Sequence, residues 1–178
     1  IFSYTIDRLD VEGYCRVAPH YDYVFFEMQH STMTWGDIEQ MIAACPRAGV
    51  PMIRLPNEFE DTVQKATDIG AIGLLAPTVD TVEKAQSVVN GVNYRQTVNA
   101  NMLIVMMIET PTGVAAAYDI ARVPGVDALL VAHGDLGSFS GFAPGSPQYE
   151  ALVTQIHDSA LAAGKFVGAV TAAYARKD

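Results

Sequence analysis

Seven short apolar runs separated by amphipathic stretches of helical length constrain this chain more than any other feature. The runs are continuous rather than alternating, as expected of parallel strands covered on both faces. Strands are read at Ile1–Ile6, Tyr23–Glu27, Pro51–Leu55, Ile72–Ala76, Leu103–Glu109, Ala128–Ala132 and Phe166–Val170. Helices are read at Val11–Ala18, Trp35–Ala44, Phe59–Ile69, Val82–Val89, Gly113–Ala121 and Tyr149–Ala163. Thr34 and Thr81 stand where an N-cap oxygen is needed, and Gly49, Gly70 and Gly164 stand where helices should end. Strand and helix in regular succession predict an α/β fold, a (β/α)₈ barrel in a single domain over residues 1–178.

Such a barrel usually takes about 250 residues, and 178 supply only seven strands. Closure needs an eighth, since an open gap exposes unpaired strand edges. The full protein is therefore expected to carry residues beyond Asp178, and more within "SVVNGVNYRQTVNANMLIV", where one helical segment follows another almost at once.

Twenty acidic against eleven basic residues give a formal charge of -9, which argues against a nucleic-acid surface. No apolar stretch reaches the roughly 18–20 residues of a membrane span. Cys15 and Cys45 lack the spacing of a metal or redox motif, and one optional disulfide makes no secreted framework, so a soluble protein of the reducing cytoplasm is expected.

In barrels of this kind the reacting groups sit at the C-terminal ends of the strands. Those positions hold Glu27, Gln29 and His30 after the second strand, Arg54 at the end of the third and Pro77 after the fourth. Glu109 ends the fifth, and Asp135 follows the sixth. A buried strand has no use for a lone ionised carboxylate at its tip, because desolvating one costs several kcal/mol unless a partner repays it. One reading makes Glu109 and Asp135 ligands of a hard divalent cation, Mg²⁺ or Mn²⁺, completed by water and substrate oxygens. The other makes each a cap for the helix that follows. Arg54 is read as a bidentate clamp on a substrate carboxylate or keto oxygen, or as a structural partner of Glu27 or Glu109. His30, three positions past Glu27, has the type and setting of a proton carrier near neutral pH. Gly134 sits in a tight "AHGDL" turn whose backbone N–H groups suit a carboxylate.

Several stretches resemble the HpcH/HpaI aldolases in order along the chain: "YDYVFFEMQHS", "AGVPMIRLP", "DIGAIGLLAPTVDTVEKAQ" and "NMLIVMMIETPTGVAAAYDIARVPGVDALLVAHGDL". The most specific parts are Met107-Ile108-Glu109-Thr110, the Asp135-Leu136 pair, and Arg54 to Pro56. The resemblance implies a class II aldolase that cleaves a 4-hydroxy-2-oxo acid to pyruvate and an aldehyde through a metal-stabilised pyruvate enolate. It implies Glu109 and Asp135 as ligands of Mg²⁺, or of Mn²⁺ or Co²⁺, and Arg54 as the group that binds the pyruvate part. It implies His30 as the acid–base group supported by Glu27, and the amides of Gly134 and Asp135 as holders of the pyruvate carboxylate. Partners would be the keto acid, the aldehyde and further copies of the chain, in dimers grouped into hexamers. Glu27-Met28-Gln29-His30 stands where the family commonly has Asp-x-Glu-His, and Ala132-His133-Gly134-Asp135 where it has Gly-Pro-x-Asp. Two other readings stay open, an acyl-CoA lyase of the citrate lyase β type and a non-catalytic barrel that binds a keto acid.

Overall fold

The structure, a computed structural model, describes residues 3–94 and 101–169. Its strands are β1 (Ser3–Ile6), β2 (Tyr23–Glu27), β3 (Val50–Arg54), β4 (Gly73–Ala76), β5 (Leu103–Ile108), β6 (Ala128–Val131) and β7 (Phe166–Ala169). All pair in parallel and in chain order, so every neighbour in the sheet is also a neighbour in sequence. Between them run α1 (Val11–Val17), α2 (Trp35–Ala44), α3 (Glu60–Asp68), α4 (Val82–Asn93), α5 (Pro111–Ala121), α6 (His133–Ser140) and α7 (Pro147–Ala162). This is the α/β architecture expected from the sequence, a curled parallel sheet of barrel type.

The expected strand and helix positions agree with the structure to within a few residues, apart from α4, which runs on to Asn93, and α6, which the sequence reading left as a turn. Ile1, Phe2 and Val170, assigned above to strands, lie outside the described residues, as do residues 95–100 within the proposed internal junction.

Local chemistry accounts for the helix starts. Thr34 accepts from the Asp37 N–H while Asp37 returns a bond to Thr34, a reciprocal capping box. Thr81, Thr110 and Ser146 cap α4, α5 and α7, and the last two are followed by a proline whose missing N–H costs nothing there. Gly70 and Gly164 take the left-handed backbone that ends α3 and α7. Gly49 does not end a helix. The last residue of α2 is Ala44, and a Cβ on Gly49 would come within 3.0 Å of the Ala18 carbonyl oxygen, so close backbone approach explains the glycine.

A disulfide joins Cys15 on α1 to Cys45 at the end of α2. The sequence reading leaves this single disulfide optional. Spacing along the chain carries no sign of the pairing, because it follows from two successive helices lying side by side on the sheet.

Period-2 alternation sorts the sheet into two faces. Val24, Phe26, Ile53, Leu74, Met106, Ile108, Leu129 and Val131 face outward, packing with Ile38, Met41, Val63, Val88 and Ile120 from the helices. Met52, Leu75, Val105, Met107, Leu130 and Ala132 form a second cluster with Tyr23 and Phe25, the inner face. Each such fully buried aliphatic side chain contributes about 1.5–3 kcal/mol. β4 and β6 are buried along their whole length, whereas β1 and β7, at the two ends of the sheet order, are largely exposed.

Candidate active site

The same alternation continues past the apolar residues and aims three polar ones inward. Glu27 follows Tyr23 and Phe25 on the inner face of β2, Arg54 follows Met52 on β3, and Glu109 follows Val105 and Met107 at the tip of β5. Glu27 and Arg54 are register partners. Backbone bonds from Met28 N–H to the Arg54 carbonyl, Leu55 N–H to Leu75 and Val79 N–H to Met107 lace the rim together.

Arg54 stands at the centre. Its Nη1 is 3.0 Å from Glu27 Oε2, and its Nη2 lies 3.4 Å from Glu109 Oε1 and 3.6 Å from Asp135 Oδ2. Three carboxylates thus face one guanidinium, leaving a formal excess of two negative charges when all are ionised. Glu109 is almost fully buried, with only 1% of its side chain exposed, while Asp135 is 39% exposed. Burial pushes the Glu109 carboxyl above its ordinary value. The Thr78 hydroxyl pulls it back, and the nearby Asp135 charge adds to the rise while Arg54 opposes it.

Neither acid is a helix cap. Thr110 caps α5 through its own hydroxyl, taking the role that the alternative reading gave to Glu109. Asp135 lies in the first turn of α6, whose N-cap position is Ala132 with no side-chain cap bond. The Gly134 and Asp135 amides therefore belong to a helix N-terminus without a capping side chain, where N–H groups and the helix dipole favour an anion.

His30 is exposed on the loop after β2. Glu27 Oε1 accepts from the backbone N–H groups of Gln29, at 2.7 Å, and His30, at 3.1 Å. Ser31 Oγ closes the turn on the Glu27 carbonyl. Glu27 thus fixes the His30 backbone, whereas the sequence reading had the carboxylate support the imidazole. No hydrogen bond to that imidazole occurs among the described residues. His133 is accounted for structurally, with Nδ1 2.6 Å from the Tyr149 hydroxyl and burial pushing its pKa below the ordinary histidine value.

Sequence reading missed Thr78. This residue, just past β4, donates its N–H (2.9 Å) and its hydroxyl (2.8 Å) to Glu109 Oε2. Nothing in "LLAPTVD" signals it, since the contact spans thirty-one positions and depends on loop conformation.

Among the described residues two buried side-chain polar atoms have no hydrogen-bond partner, Arg54 Nε and Gln29 Oε1, and both belong to this rim. Buried polar atoms are nearly always paired, so two orphans in one place give this rim polar capacity suited to a ligand. No group of three or more His, Cys, Asp or Glu residues suited to a metal occurs among the described residues. Two carboxylates remain a sufficient protein share for Mg²⁺, which keeps several waters and takes further oxygens from its substrate.

Residues 15–175 match the sequence profile of the HpcH/HpaI aldolase/citrate lyase family. The chain belongs to this family. It is 26% identical over 176 residues to a 2-dehydro-3,6-dideoxy-6-sulfogluconate aldolase of Pseudomonas putida, covering 84% of this chain and 69% of that one. The chain spans about two thirds of the length of the curated relatives it matches. Its fold matches that of an HpcH/HpaI aldolase from Desulfitobacterium hafniense DCB-2, with a TM-score of 0.87 and 23% identity over 97% of this chain and 78% of that one. A citrate lyase beta subunit from M. tuberculosis, solved with oxaloacetate and magnesium, shares the fold at a TM-score of 0.67 and 14% identity, covering 96% and 79%. In this family context the seven parallel strands are those of a TIM-barrel-type lyase fold.

Proposed function

We propose that this chain carries the active site of a class II pyruvate aldolase, a carbon–carbon lyase that cleaves a 4-hydroxy-2-oxo acid to pyruvate and an aldehyde, reversibly. The observation that carries the reading is the meeting of Glu109 Oε1 and Asp135 Oδ2 on the one Arg54 nitrogen. Two hard oxygen donors converge on a single cationic position, and the surplus negative charge matches a divalent ion. Family membership and relatives that are aldolases support the same class.

Glu109 and Asp135 are the residues to hold Mg²⁺, or Mn²⁺ or Co²⁺ in its place. When bound, such an ion supplies Lewis-acid stabilisation of the charge that develops at the substrate's 2-keto oxygen. Arg54, with Nε unpaired, has donor capacity left for the keto-acid part of the substrate, and its planar fork suits a carboxylate. The Gly134 and Asp135 amides at the start of α6 receive the carboxylate of the pyruvate half. His30 removes the proton from the 4-hydroxyl as the C3–C4 bond breaks, and the bond pair stays with C3 as the pyruvate enolate. The enolate takes a proton from water to become pyruvate, and in the reverse direction His30 returns its proton to the new 4-hydroxyl. Glu27 keeps the His30 loop in place while it positions Arg54. Assembly into homo-oligomers belongs to the same proposal and is tested by light scattering.

The deciding experiment is a coupled pyruvate assay across a panel of 4-hydroxy-2-oxo acids, with and without chelator. Pyruvate release that stops with chelator and returns with Mg²⁺, Mn²⁺ or Co²⁺ is expected. Acetyl-CoA formed from a malyl- or citryl-CoA substrate, with no pyruvate from any hydroxy-oxo acid, would move the chain to the citrate lyase side of its family.

A further inference from the structure

Thr78 has a backbone φ of +51°, the one positive value at a non-glycine residue among the described residues. A β-branched residue is disfavoured there, and glycine or asparagine would occupy the same backbone with less strain. The loop is nevertheless held from several sides. The Val79 N–H bonds the Met107 carbonyl on β5, and Lys84 Nζ lies 3.1 Å from the Thr78 carbonyl oxygen. Lys84 is fixed in turn by Asp80 at 3.0 Å and Glu58 at 3.4 Å. Gly113, in the first turn of α5, leaves room for the loop, since a Cβ there would meet the Val79 carbonyl oxygen at 3.2 Å.

All this restraint delivers two donors to one oxygen. Thr78 N–H and Oγ1–H both reach Glu109 Oε2, and Oε1 is left turned toward Arg54 Nη2, the nitrogen that also faces Asp135 Oδ2. We infer that Thr78 is the positioning residue of the site: it saturates Oε2 and thereby presents Glu109 through Oε1 alone, as a one-oxygen donor. Glycine would relax the backbone but could not supply the hydroxyl. The inference rests on the metal reading above for its consequence, and on the geometry alone for the orientation of Glu109.

Thr78→Val keeps the shape and the backbone N–H but removes the hydroxyl donor, Thr78→Ser restores the donor without the methyl group, and Thr78→Ala replaces the valine variant should that one not fold. Mn²⁺ binding to metal-free protein, followed by electron paramagnetic resonance, is expected to weaken about tenfold in Thr78→Val and to return to within about twofold of the parent in Thr78→Ser. Parental Mn²⁺ affinity in a folded hydroxyl-less variant overturns the inference. If the parent itself binds no Mn²⁺, the metal reading fails separately, and the crystal structure of the hydroxyl-less variant then decides the inference. Glu109 swung away from its parental rotamer supports it, and Glu109 unmoved overturns it.

Discussion

Glu27 and Arg54 are register partners at the ends of β2 and β3, and their side chains meet at 3.0 Å. One carboxylate oxygen holds the guanidinium while the other gathers the amides of Gln29 and His30, so Glu27 ties the placement of Arg54 to that of the His30 loop.

Glu27→Gln should therefore separate function from stability. Two carboxylates still face Arg54 in the variant, so urea unfolding is expected to shift by less than about 2 kcal/mol. Turnover should fall at least about tenfold, since small displacements of reacting groups are costly. A variant with parental kcat removes Glu27 from the site.

Glu109→Gln and Asp135→Asn should each abolish tight Mn²⁺ binding together with turnover. His30→Ala should keep the ion and lose about 10²–10⁴-fold in kcat, the usual reach of general acid–base catalysis. Calorimetric Mn²⁺ titration beside the pyruvate assay tests all three, and undiminished binding in both carboxamide variants would contradict the metal assignment.

Arg54→Lys keeps the charge but loses the fork. We expect KM for the hydroxy-oxo acid to rise about tenfold or more, with the fold intact by circular dichroism, because an ammonium cannot reproduce two-point recognition of a carboxylate.

Lys84 sets an alkaline limit on the loop that carries Thr78. Burial pulls its pKa down, but the bonds and charges of Asp80 and Glu58 outweigh this and hold it above the ordinary lysine value. A raised folded-state value means that its stabilisation is fully present below the unfolded lysine value, about 10.4, and is lost as pH rises through the folded one. The stability gap between the parent and Lys84→Met, measured by urea denaturation, should therefore close at the alkaline end.

Replacing Cys15 and Cys45 by serine should lower stability. Thirty positions separate the two cysteines, and closing a loop of that length in the unfolded chain corresponds to about 3–4 kcal/mol in the chain-entropy account. Chemical denaturation of the oxidised parent beside the double variant gives the difference.

Much of this was legible in the sequence because it follows from short-range rules. Capping threonines at 34 and 81 mark helix starts, and places at the C-terminal ends of strands put Glu27, Arg54 and Glu109 on one rim. α6 escaped because "HGDLGSFS" holds two glycines and two serines, a composition poor in intrinsic helix propensity, so that tertiary placement must supply what propensity does not. Thr78 and the Cys15–Cys45 bond escaped because both depend on which distant segments the barrel brings together. The Glu27–His30 relation was read as imidazole to carboxylate, whereas the tight turn after β2 brings backbone amides there first.

The unequal exposure of Asp135 and Glu109 gives the rim a front and a back. In the proposed metal site, an ion arriving from solvent would meet the aspartate first and shed water before it reached the glutamate, so capture is expected to proceed in two kinetic stages. Departure would follow the opposite sequence, with the buried glutamate letting go first and the exposed aspartate last.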